Sequence, residues 1–439
     1  MFRPGGFPEY SPAEQLVFDQ LKEIIEKSYG QYGFAHIHTP AIESNQVLLS
    51  KNWEDAVKQI FWLFWLSQWI TDKKEYSLHF DLTVPFARYV LDWENELIFP
   101  FKRYQIQPVR RGERSQRWRF REFRQSDIDV IWSDENQEKK IWKNLFYDAE
   151  MLFVIAKTLW QIIDKFLEWK EFTLHLNNRY LLSGFFSQFD QNIVAKLYSL
   201  LDRYYKISLE EFKKELETLV SKKEAEKIIN FTQTKFENLN PNLVDNEDYI
   251  RWYLELQEVL KYVNDLNVDW KFKIVWDPCI IRGLDYYTWT VYETFFDDDM
   301  ALGSISSGWR YENLTWYINP KKKNFSWVGW SIGLSRMVFL ILEKTKPELK
   351  TKVEYLFINF PETSKETLKL LQEYVKNWKT VEYYPSPEKL WKQFGYADKK
   401  WIENVVILGE GEKNEGVYKV KNMKDWTELP LPITCLSNR

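Results

Sequence analysis

The segment from Phe101 to Gln125 concentrates positive charge in a chain that is acidic as a whole. The 439 residues carry a net charge of −4. Within this segment nine Lys or Arg stand against Glu113 and Glu122, which leaves +7: Lys102, Arg103, Arg110, Arg111, Arg114, Arg117, Arg119, Arg121 and Arg124. A solvated basic surface is the ordinary interpretation of such a charge run. The alternative is a cleft for anions, because the planar guanidinium of Arg donates paired hydrogen bonds to a phosphate.

The spacing of these Arg favours the cleft. In RWRFREFRQ, residues 117–125, Arg alternates with apolar residues, as expected of a strand with one face in a core. Arg on the buried face of such a strand requires an anionic partner. The segment therefore predicts a nucleotide or polynucleotide as substrate.

A second polar set lies in RGLDYYTWTVYE, residues 282–293. Arg282, Asp285 and two adjacent Tyr supply the charges and hydroxyls that a small-molecule pocket needs. A structural ion pair between Arg282 and Asp285 is the alternative interpretation. Trp289, the bulkiest residue type, stands in this segment among small and β-branched residues.

Composition argues against several other classes of protein. Hydrophobic residues make up 45% and charged residues 28%, as in ordinary soluble proteins. The most apolar run, IFWLFWLSQWI at 60–70, falls short of the roughly 18 apolar residues of a membrane span, and no signal peptide is recognisable. Cys279 and Cys435 give no disulfide framework, and four His give no metal-ligand cluster. We therefore expect a cytoplasmic protein without a structural metal ion.

The pattern along the chain predicts the elements that position these residues. Ser11 and Glu14 form a capping box around Pro12, which predicts a helix to about Tyr29. A helical, charged region from 181 to about 265, with a second capping box at Ser208 and Glu211, predicts an inserted helical domain. Elsewhere the pattern predicts strands at 34–43, 101–111, 119–131, 271–296 and 301–307, and helices at 145–168 and 331–345.

The pattern changes after Lys350. Strands are predicted in VEYLFINF, TVEYY, NVVILG and GVYKV, with one helix capped by Thr363 and Glu366 and another in SPEKLWKQFGYADKK. The order β-α-β-α-β-β is typical of a separate α/β domain with a mixed sheet.

Three motifs resemble those of the histidyl-tRNA synthetases, a family of class II aminoacyl-tRNA synthetases. They are RYQIQPVRRGERSQRWRFREFRQSDIDVI, IIRGLDYYTWTVYE and VGWSIGLSRM, and SLHFDLTVPFARYV adds a further match. YGFAHIHTPAIE, with Pro40, is similar to class motif 1, the basic strand pair to motif 2, and GLSRM to motif 3. The resemblance covers nearly the whole chain.

The resemblance implies an α+β fold with an antiparallel catalytic sheet, flanking helices, a helical insertion and a C-terminal α/β anticodon-binding domain. We expect the catalytic domain at 1–175 and 269–347, the insertion at 176–268 and the anticodon-binding domain at 348–439. It also implies ligation of L-histidine to its tRNA in two steps, through histidyl-adenylate formed from ATP with release of pyrophosphate. ATP would be a substrate brought with Mg²⁺.

Residues for ATP follow from the same motifs. By resemblance Arg111 contacts the α-phosphate and the amino acid carboxylate, and Glu113 faces the adenine end. Arg336 would hold the terminal phosphates. Arg282 would lie against the α-phosphate, where other class II enzymes use a metal. Arg111 and Arg282 are therefore the implied catalytic residues, because negative charge gathers at the α-phosphorus.

Histidine must be recognised at both ends. The resemblance gives the ammonium to Asp81 and Thr83. It gives the imidazole to Gln125, Asp129 and Tyr287, with Tyr286 and Tyr311 as the neighbouring wall. Alone, Asp129 would be interpreted as a surface carboxylate on an edge strand and Tyr311 as a core residue.

The same resemblance implies macromolecular partners. The loop 114–119 would meet the tRNA acceptor end, the C-terminal domain would bind the anticodon, and motif 1 would form a homodimer. Regulators share this fold: a catalytically inactive, synthetase-like regulatory subunit of histidine biosynthesis, or a tRNA-sensing domain of a kinase. Such regulators typically lose catalytic Arg or the anticodon domain, whereas this chain keeps Arg111, Arg282, Arg336 and the C-terminal region.

Trp stands at many positions where the family pattern has Gly. Nine positions align clearly with a Gly of the pattern: Trp118, Trp132, Trp289, Trp309, Trp316, Trp327, Trp330, Trp401 and Trp426. Seven align with it less clearly: Trp53, Trp62, Trp65, Trp69, Trp169, Trp378 and Trp391. The chain has 22 Trp but only 15 Gly in 439 residues, about 3%, against a usual ~7%. Reading these sixteen as Gly gives 31 of 439, about 7%.

Two interpretations of the excess Trp are open. True aromatics in a divergent or inactive enzyme are one, and UGA codons that the organism reads as Gly are the other. A single first-base change converts GGA into UGA, so Gly codons are where such UGA would accumulate. The second interpretation predicts that Trp289, Trp309 and Trp330 would fill a pocket that is open in the native protein.

Overall fold

The computed structural model describes residues 4–50, 57–63, 75–115, 119–133, 144–281, 290–347 and 350–433. The chain divides into two compact units. The first comprises Met1–Pro8 and Leu21–Glu343, and the second comprises Glu9–Gln20 and Lys344–Arg439. Arg282, Tyr286, Tyr287, Trp118 and Trp289 lie outside the described residues.

The described residues form fifteen strands and fourteen α-helices. The strands are β1 Ala35–His36, β2 Ile42–Ser44, β3 Tyr76–Leu78, β4 Phe101–Arg110, β5 Glu122–Trp132, β6 Phe172–Asn178, β7 Lys273–Trp276, β8 Thr290–Phe296, β9 Ser306–Tyr311, β10 Ser326–Ile332, β11 Tyr355–Phe357, β12 Val381–Tyr383, β13 Asn404–Ile407, β14 Val417–Asn422 and β15 Glu428–Pro432. The helices are α1 Pro12–Gln31, α2 Asn45–Leu48, α3 Thr83–Asp92, α4 Leu145–Phe166, α5 Arg179–Phe186, α6 Gln191–Leu201, α7 Leu209–Leu219, α8 Lys222–Gln233, α9 Glu247–Leu266, α10 Leu314–Ile318, α11 Leu334–Lys344, α12 Ser364–Lys376, α13 Leu390–Lys400 and α14 Glu410–Asn414. None of these described helices combines the length and apolar character needed to cross a bilayer.

An eight-stranded sheet organises the first unit, in the order β1-β4-β5-β10-β9-β8-β6-β7. The six strands from β4 to β6 pair antiparallel, whereas the edge strands β1 and β7 pair parallel with β4 and β6. Helices flank this sheet, and the α+β class predicted from the sequence is confirmed. The basic strand pair predicted at 101–111 and 119–131 is also confirmed as β4 and β5.

Alternation along these strands separates two faces. Arg103 pairs with Asp129 and Gln107 with Gln125, so these polar residues project from one face. On the other face Lys102 forms an ion pair with Glu150 of α4 at 2.5 Å. The sheet therefore has a polar face, and a second face covered by helix.

Helix α4 forms much of the core on that second face, and its predicted span is confirmed. Fourteen of its 22 residues are buried, most of them Leu, Ile, Val, Met, Phe or Ala. Full burial of one large aliphatic side chain contributes about 1.5–3 kcal/mol, so packing rather than helix propensity stabilises α4. Asp148 is buried in this layer, where Arg310 of β9 contacts its Oδ2 at 2.5 Å and the hydroxyl of Tyr292 donates to its Oδ1.

Five helices, α5 to α9, follow β6, where the sequence predicts helix. Side-chain caps begin all five: Asn178, Asp190, Ser208, Ser221 and Asn246. Ser208 Oγ accepts a hydrogen bond from the backbone N–H of Glu211 at 3.1 Å. The box predicted at Ser208 and Glu211 is thus formed only in this half among the described residues. Both reciprocal bonds are present at Ser11 and Glu14, where the predicted box is confirmed, and at Ser221 and Glu224, where none was predicted.

The second unit contains a five-stranded mixed sheet in the order β12-β11-β13-β14-β15. Strands β12, β11 and β13 are parallel, and β14 and β15 continue antiparallel. The predicted mixed sheet is confirmed, and the six predicted elements are present in the predicted sequence order. Helix α14 and strand β15 were not predicted: α14 has only five residues, and β15, ELPLP, contains two Pro that argue against a strand.

Four predicted elements differ from the structure. The strand predicted at 271–296 appears as β7 and β8, and residues 277–281 belong to neither strand. The strand at 34–43 is reduced to β1 and β2, because Pro40 cannot donate a ladder hydrogen bond and the Thr39 N–H donates instead to Gln107 Oε1 at 3.0 Å. The strand predicted at 301–307 begins only at Ser306. The helix predicted from 331 begins at Leu334, because Ser331 and Ile332 complete β10.

Replacement of Asp148 by Ala should destabilise the first unit strongly. The change leaves the buried Arg310 guanidinium without its carboxylate, and breaking a buried pair costs about 3–5 kcal/mol of unfolding free energy. Urea denaturation measures the loss. The control is Asp202→Ala, which removes an exposed pair with Lys206 and should cost below about 1 kcal/mol. Equal losses in the two variants would contradict the role of Asp148.

Candidate functional site

A cavity of about 410 Å³ opens on the polar face of the eight-stranded sheet. Its walls come from the end of β4, from β5, β9 and β10, and from the first turn of α11. They are formed by Gln59, Arg111, Glu113, Arg119, Phe120, Phe123, Gln125, Ser304, Ile305, Ser306, Ser307, Trp309, Ser331, Gly333 and Arg336. Three Arg and one Glu give these walls a net positive charge, which suits an anion. Four of the predicted site residues therefore line one space: Arg111, Glu113, Gln125 and Arg336.

Arg111 directly follows the last residue of β4, and two contacts orient its side chain. Its Nε donates to the carbonyl of Phe80 at 3.1 Å, and its guanidinium lies 5.1 Å from the ring centroid of Phe123. Glu113 lies two residues further on, with its carboxylate 3.9 Å from Arg119. Arg111 is thus oriented by contacts that leave it facing the cavity.

Arg336 lies in the first turn of α11. Its Nη1 donates to the carbonyl of Ser304 at 2.8 Å, and its Nη2 donates to the carbonyl of Leu302. Gly303 between them has φ +81°, and a Cβ there would lie 3.4 Å from Nη2. The loop before β9 therefore fixes the guanidinium at the wall of the cavity through backbone carbonyls.

Gln125 reaches the cavity from β5. Its Nε2 donates to Ser331 Oγ at 3.2 Å, and its buried Oε1 has no hydrogen-bond partner among the described residues. Asp127 follows on the same face, and burial raises the pKa of its carboxyl although Arg103 lowers it. Gln125 Oε1 is thus an unused acceptor of a residue that lines an open space, which is the usual property of a ligand site.

Asp129 and Tyr311 form a buried polar pair further along that face. The hydroxyl of Tyr311 donates to Asp129 Oδ1 at 2.6 Å, and Arg103 contacts Oδ2 at 2.6 Å. Burial raises the pKa of Asp129 to about 7 against the lowering effect of Arg103. Asp129 is thus no surface carboxylate. Neither Asp129 nor Tyr311 lines the cavity, whereas Trp309 does. Trp309 is in register with Gly329, and Gly329 is in register with Asp129.

Asp81 and Thr83 lie at the N-terminus of α3. Asp81 Oδ1 accepts the backbone N–H of Val84 at 3.1 Å. Burial raises the pKa of Asp81 to about 6, and the nearby Arg111 charge lowers it. At neutral pH the carboxyl is therefore mainly ionised. Neither residue lines the cavity, but Asp81 follows Phe80, whose carbonyl holds Arg111.

Several residues of the site were not assigned from the sequence. Arg103 belongs to the basic segment, but its partner Asp129 is 26 positions away and only the register of β4 with β5 reveals the pair. The serines that line the cavity are small and polar, which gives no sequence signal. The described residues contain no group of three or more His, Cys, Asp or Glu arranged to hold a metal ion.

The interpretation that Trp330 fills the pocket is wrong. Trp330 lies opposite Ile128 and Gly308, which project from the helix-covered face. Its indole stacks on Tyr292 with ring centroids 4.8 Å apart, and the hydroxyl of Tyr292 donates to Asp148 of α4. The sequence position of Trp330, beside Gly329 and Ser331, does not place it in the site, because neighbours along a strand face opposite ways.

Comparison with known proteins agrees with this geometry. A sequence model described as histidyl-tRNA synthetase matches residues 6–337, and one described as an anticodon-binding domain matches residues 353–438. The histidine–tRNA ligase of Clostridium tetani (strain Massachusetts / E88) is 36% identical over 431 residues, with 95% of this chain and 93% of that protein covered.

Solved structures give the same relationship. The crystal structure of histidyl-tRNA synthetase from Nostoc sp. PCC 7120 superposes with a TM-score of 0.85 at 31% identity, covering 98% of this chain and 96% of that one. An ATP phosphoribosyltransferase regulatory subunit/histidyl-tRNA synthetase from Bacillus halodurans C shares the fold, with a TM-score of 0.71 at 16% identity, covering 90% of this chain and 96% of that one. The match of the family over most of the chain, together with the ligase relative, establishes that this chain belongs to the histidyl-tRNA synthetase family.

Proposed function

We propose that this protein ligates L-histidine to its tRNA in two steps, through histidyl-adenylate formed from ATP with release of pyrophosphate. The observation that carries the proposal is the single cavity walled by Arg111, Glu113, Gln125 and Arg336. Membership of the family and the ligase relative support the overall reaction. The two-step order rests on the resemblance of the motifs to those of the family.

In the first step a carboxylate oxygen of histidine attacks the α-phosphorus of ATP. The bond from that phosphorus to the bridging oxygen of pyrophosphate breaks, and negative charge increases on the α-phosphate oxygens. Arg111 would stabilise this charge, because the Phe80 carbonyl and the Phe123 ring fix its guanidinium before the substrate binds. By resemblance Arg282 would lie against the same α-phosphate.

The remaining walls suit the rest of ATP. Arg336 would hold the terminal phosphates, and these would compete with the carbonyls of Ser304 and Leu302 for its donors. Glu113 would accept from the adenine amino group. Phe120 and Phe123 supply aromatic surface on which a purine can stack. Mg²⁺ would enter with the phosphates of ATP.

Recognition of histidine would use the remaining residues that the motifs imply. Asp129 would accept a hydrogen bond from the imidazole, with Tyr311, Gln125 and the Tyr286–Tyr287 pair around the ring. Arg103 compensates the buried charge of Asp129. Asp81, ionised at neutral pH, and Thr83 would accept from the ammonium group. An analogue that lacks these donors leaves buried acceptors unpaired, which is the physical basis of discrimination.

In the second step a ribose hydroxyl of the tRNA attacks the acyl carbon and AMP leaves. The described site shows no side chain placed as an obvious general base, and we propose that a phosphate oxygen of the adenylate takes the proton. Gln125 and the Arg residues then act by positioning.

The tRNA contacts are assigned by region. The loop 114–119 would meet the acceptor end and the domain 348–439 the anticodon. Residues 1–175 and 269–347 would form the catalytic domain and 176–268 the insertion. A regulatory subunit is the second candidate, but the retained Arg111 and Arg336 at one cavity disfavour it.

Removal of a charge-stabilising Arg should slow adenylation. Arg111→Ala and Arg282→Ala should each lower histidine-dependent ATP–pyrophosphate exchange by on the order of a hundredfold. The control is Arg110→Ala, because Arg110 is paired with Glu122 at 2.8 Å and does not line the cavity. A near-parental rate in Arg111→Ala or Arg282→Ala would remove that residue from the mechanism.

Loss of Asp129 should affect histidine far more than ATP. Asp129→Ala leaves the imidazole N–H without its acceptor, at a cost of about 1–3 kcal/mol, so KM for histidine should rise by roughly tenfold to a hundredfold. Because Arg103 also loses its partner, Asp129→Asn serves as a second variant that preserves shape. Circular dichroism checks folding. Equal shifts in both Michaelis constants would show that Asp129 is structural only.

The protein should be a homodimer. The motif 1 region resembles the dimer element of the class, and in the single chain its Ile42 is 46% exposed. Sedimentation velocity at micromolar concentration measures the assembly. An active species that sediments as a monomer would contradict this assignment.

A further inference from the structure

Trp occupies backbone conformations that L-residues with large side chains rarely adopt. Five described residues other than Gly have positive φ, and three of the five are Trp: Trp378 at 57°, Trp401 at 60° and Trp426 at 61°. In the left-handed region Cβ crowds the following carbonyl oxygen, and Gly is the residue that avoids this cost.

Trp378 lies immediately beyond the C-terminus of α12. The N–H of Lys379 donates to the carbonyl of Tyr374 at 3.0 Å, and the N–H of Trp378 donates to that of Val375 at 3.0 Å. These two bonds define the Schellman ending of a helix, in which the left-handed residue is usually Gly. The indole is 94% exposed, so packing does not offset the strain.

Trp401 repeats this geometry at the end of α13. The N–H of Ile402 donates to the carbonyl of Ala397 at 2.9 Å, and the N–H of Trp401 donates to that of Asp398 at 3.0 Å. Its indole is 43% exposed, and the ammonium of Lys350 lies 4.4 Å from the ring. Such an exposed cation–π contact is weak.

Trp426 occupies the left-handed position of a hairpin turn. The turn joins β14 to β15 and is closed by a bond from the N–H of Asn422 to the carbonyl of Thr427 at 2.9 Å. Gly is the preferred residue at left-handed positions of such turns. The indole is 60% exposed, with Lys421 at 5.0 Å from its ring.

Buried Trp give a second, independent observation. The indole N–H groups of Trp132, Trp327 and Trp330 are buried and have no acceptor among the described residues. All three stand at Gly positions of the family pattern. Trp276 does not stand at such a position, and it donates its indole N–H to Asn177 Oδ1 at 3.3 Å. A buried Trp normally has such a partner.

Trp309 carries the consequence for the site. Its indole lines the cavity, and its ring centroid lies 6.3 Å from that of Tyr311. Across the sheet it is in register with Gly329 and then Asp129, and a Cβ on Gly329 would approach Asp129 Oδ1 to 2.1 Å. The indole therefore stands on the face where the Asp129–Tyr311 pair would meet a ligand.

We propose that the native protein has Gly at positions 309, 378, 401 and 426, and at the other twelve Gly-like Trp positions, because its gene encodes them with UGA read as Gly. The native cavity is then larger than 410 Å³ and extends to Asp129 and Tyr311. The backbone argument is independent of the proposed function. Only the extension of the histidine pocket rests on the proposed function.

Peptide mass spectrometry of the protein from its native source decides the assignment. Gly is expected at positions 309, 378, 401 and 426, and Trp at the control positions 252 and 276. The gene should correspondingly carry UGA at the first four codons and UGG at the two controls. Trp with UGG codons at the four positions overturns the proposal.

Three recombinant chains test the consequence for the pocket. The first has the written sequence. The second carries Trp309→Gly, Trp378→Gly, Trp401→Gly and Trp426→Gly. The matched control carries Trp93→Gly, Trp160→Gly, Trp252→Gly and Trp276→Gly. The second chain should bind histidine on the order of tenfold or more tightly by calorimetry and unfold at a temperature about 2–5 °C higher than the first. The control should unfold at a lower temperature than the first, because it loses helix propensity and the Trp276–Asn177 bond.

The outcomes separate the two proposals. A second chain that is less stable than the written one and binds histidine no better overturns the assignment of Gly at these positions. Gly in the native peptides, with no histidine-dependent ATP–pyrophosphate exchange by the protein purified from its native source, leaves the codon assignment standing and rejects the proposed function. The variants of Arg111, Arg282 and Asp129 are then best measured in the chain that carries Gly.

Discussion

The antiparallel register of β4, β5, β10 and β9 determines which side chains meet in the site. In this register Arg103 lies beside Asp129, Asp129 beside Gly329, and Gly329 beside Trp309. If one of these strands shifted by one residue against its neighbours, its side chains would exchange faces, and its polar groups would point toward α4. The polar face, its cavity and the buried pair therefore depend on a pairing pattern that no single side chain specifies.

An ionic cluster is buried on each face of this sheet, and these two clusters have different consequences. On the helix-covered face Arg310, Asp148 and Tyr292 satisfy one another, and burial and the Asp148 charge raise the pKa of Tyr292 well above its usual value. On the polar face Asp129 retains a pKa of about 7 despite Arg103, because its burial is the larger effect. The first cluster is closed and structural. The second lies close to the cavity, and its Asp129 carboxyl can gain or lose a proton near neutral pH.

Much of the fold could be predicted from local signals. The capping box at Ser11, the apolar helix from Leu145 and the basic strand pair are strongly periodic segments, and all three were confirmed. The short motif 1 strands were predicted too long, since Pro40 interrupts the ladder in a way that hydrophobicity does not reveal. The arrangement of the side chains in the site was harder to predict. Motifs brought Arg111, Glu113, Gln125 and Arg336 together, whereas the partner of Arg103 and the true face of Trp330 required the register between strands.

Strand β15 has a consequence for self-association. It lies at the edge of the five-stranded sheet, with Pro430 opposite Lys419 and Pro432 opposite Val417. The N–H of Asn422 donates to Thr427 and that of Ile433 to Gly416, so odd-numbered residues of this strand bond inward and even-numbered residues point outward. Both Pro thus stand where an outward N–H would otherwise invite another strand. The outer side of β15 cannot donate at these two positions, which protects the sheet from edge-to-edge aggregation.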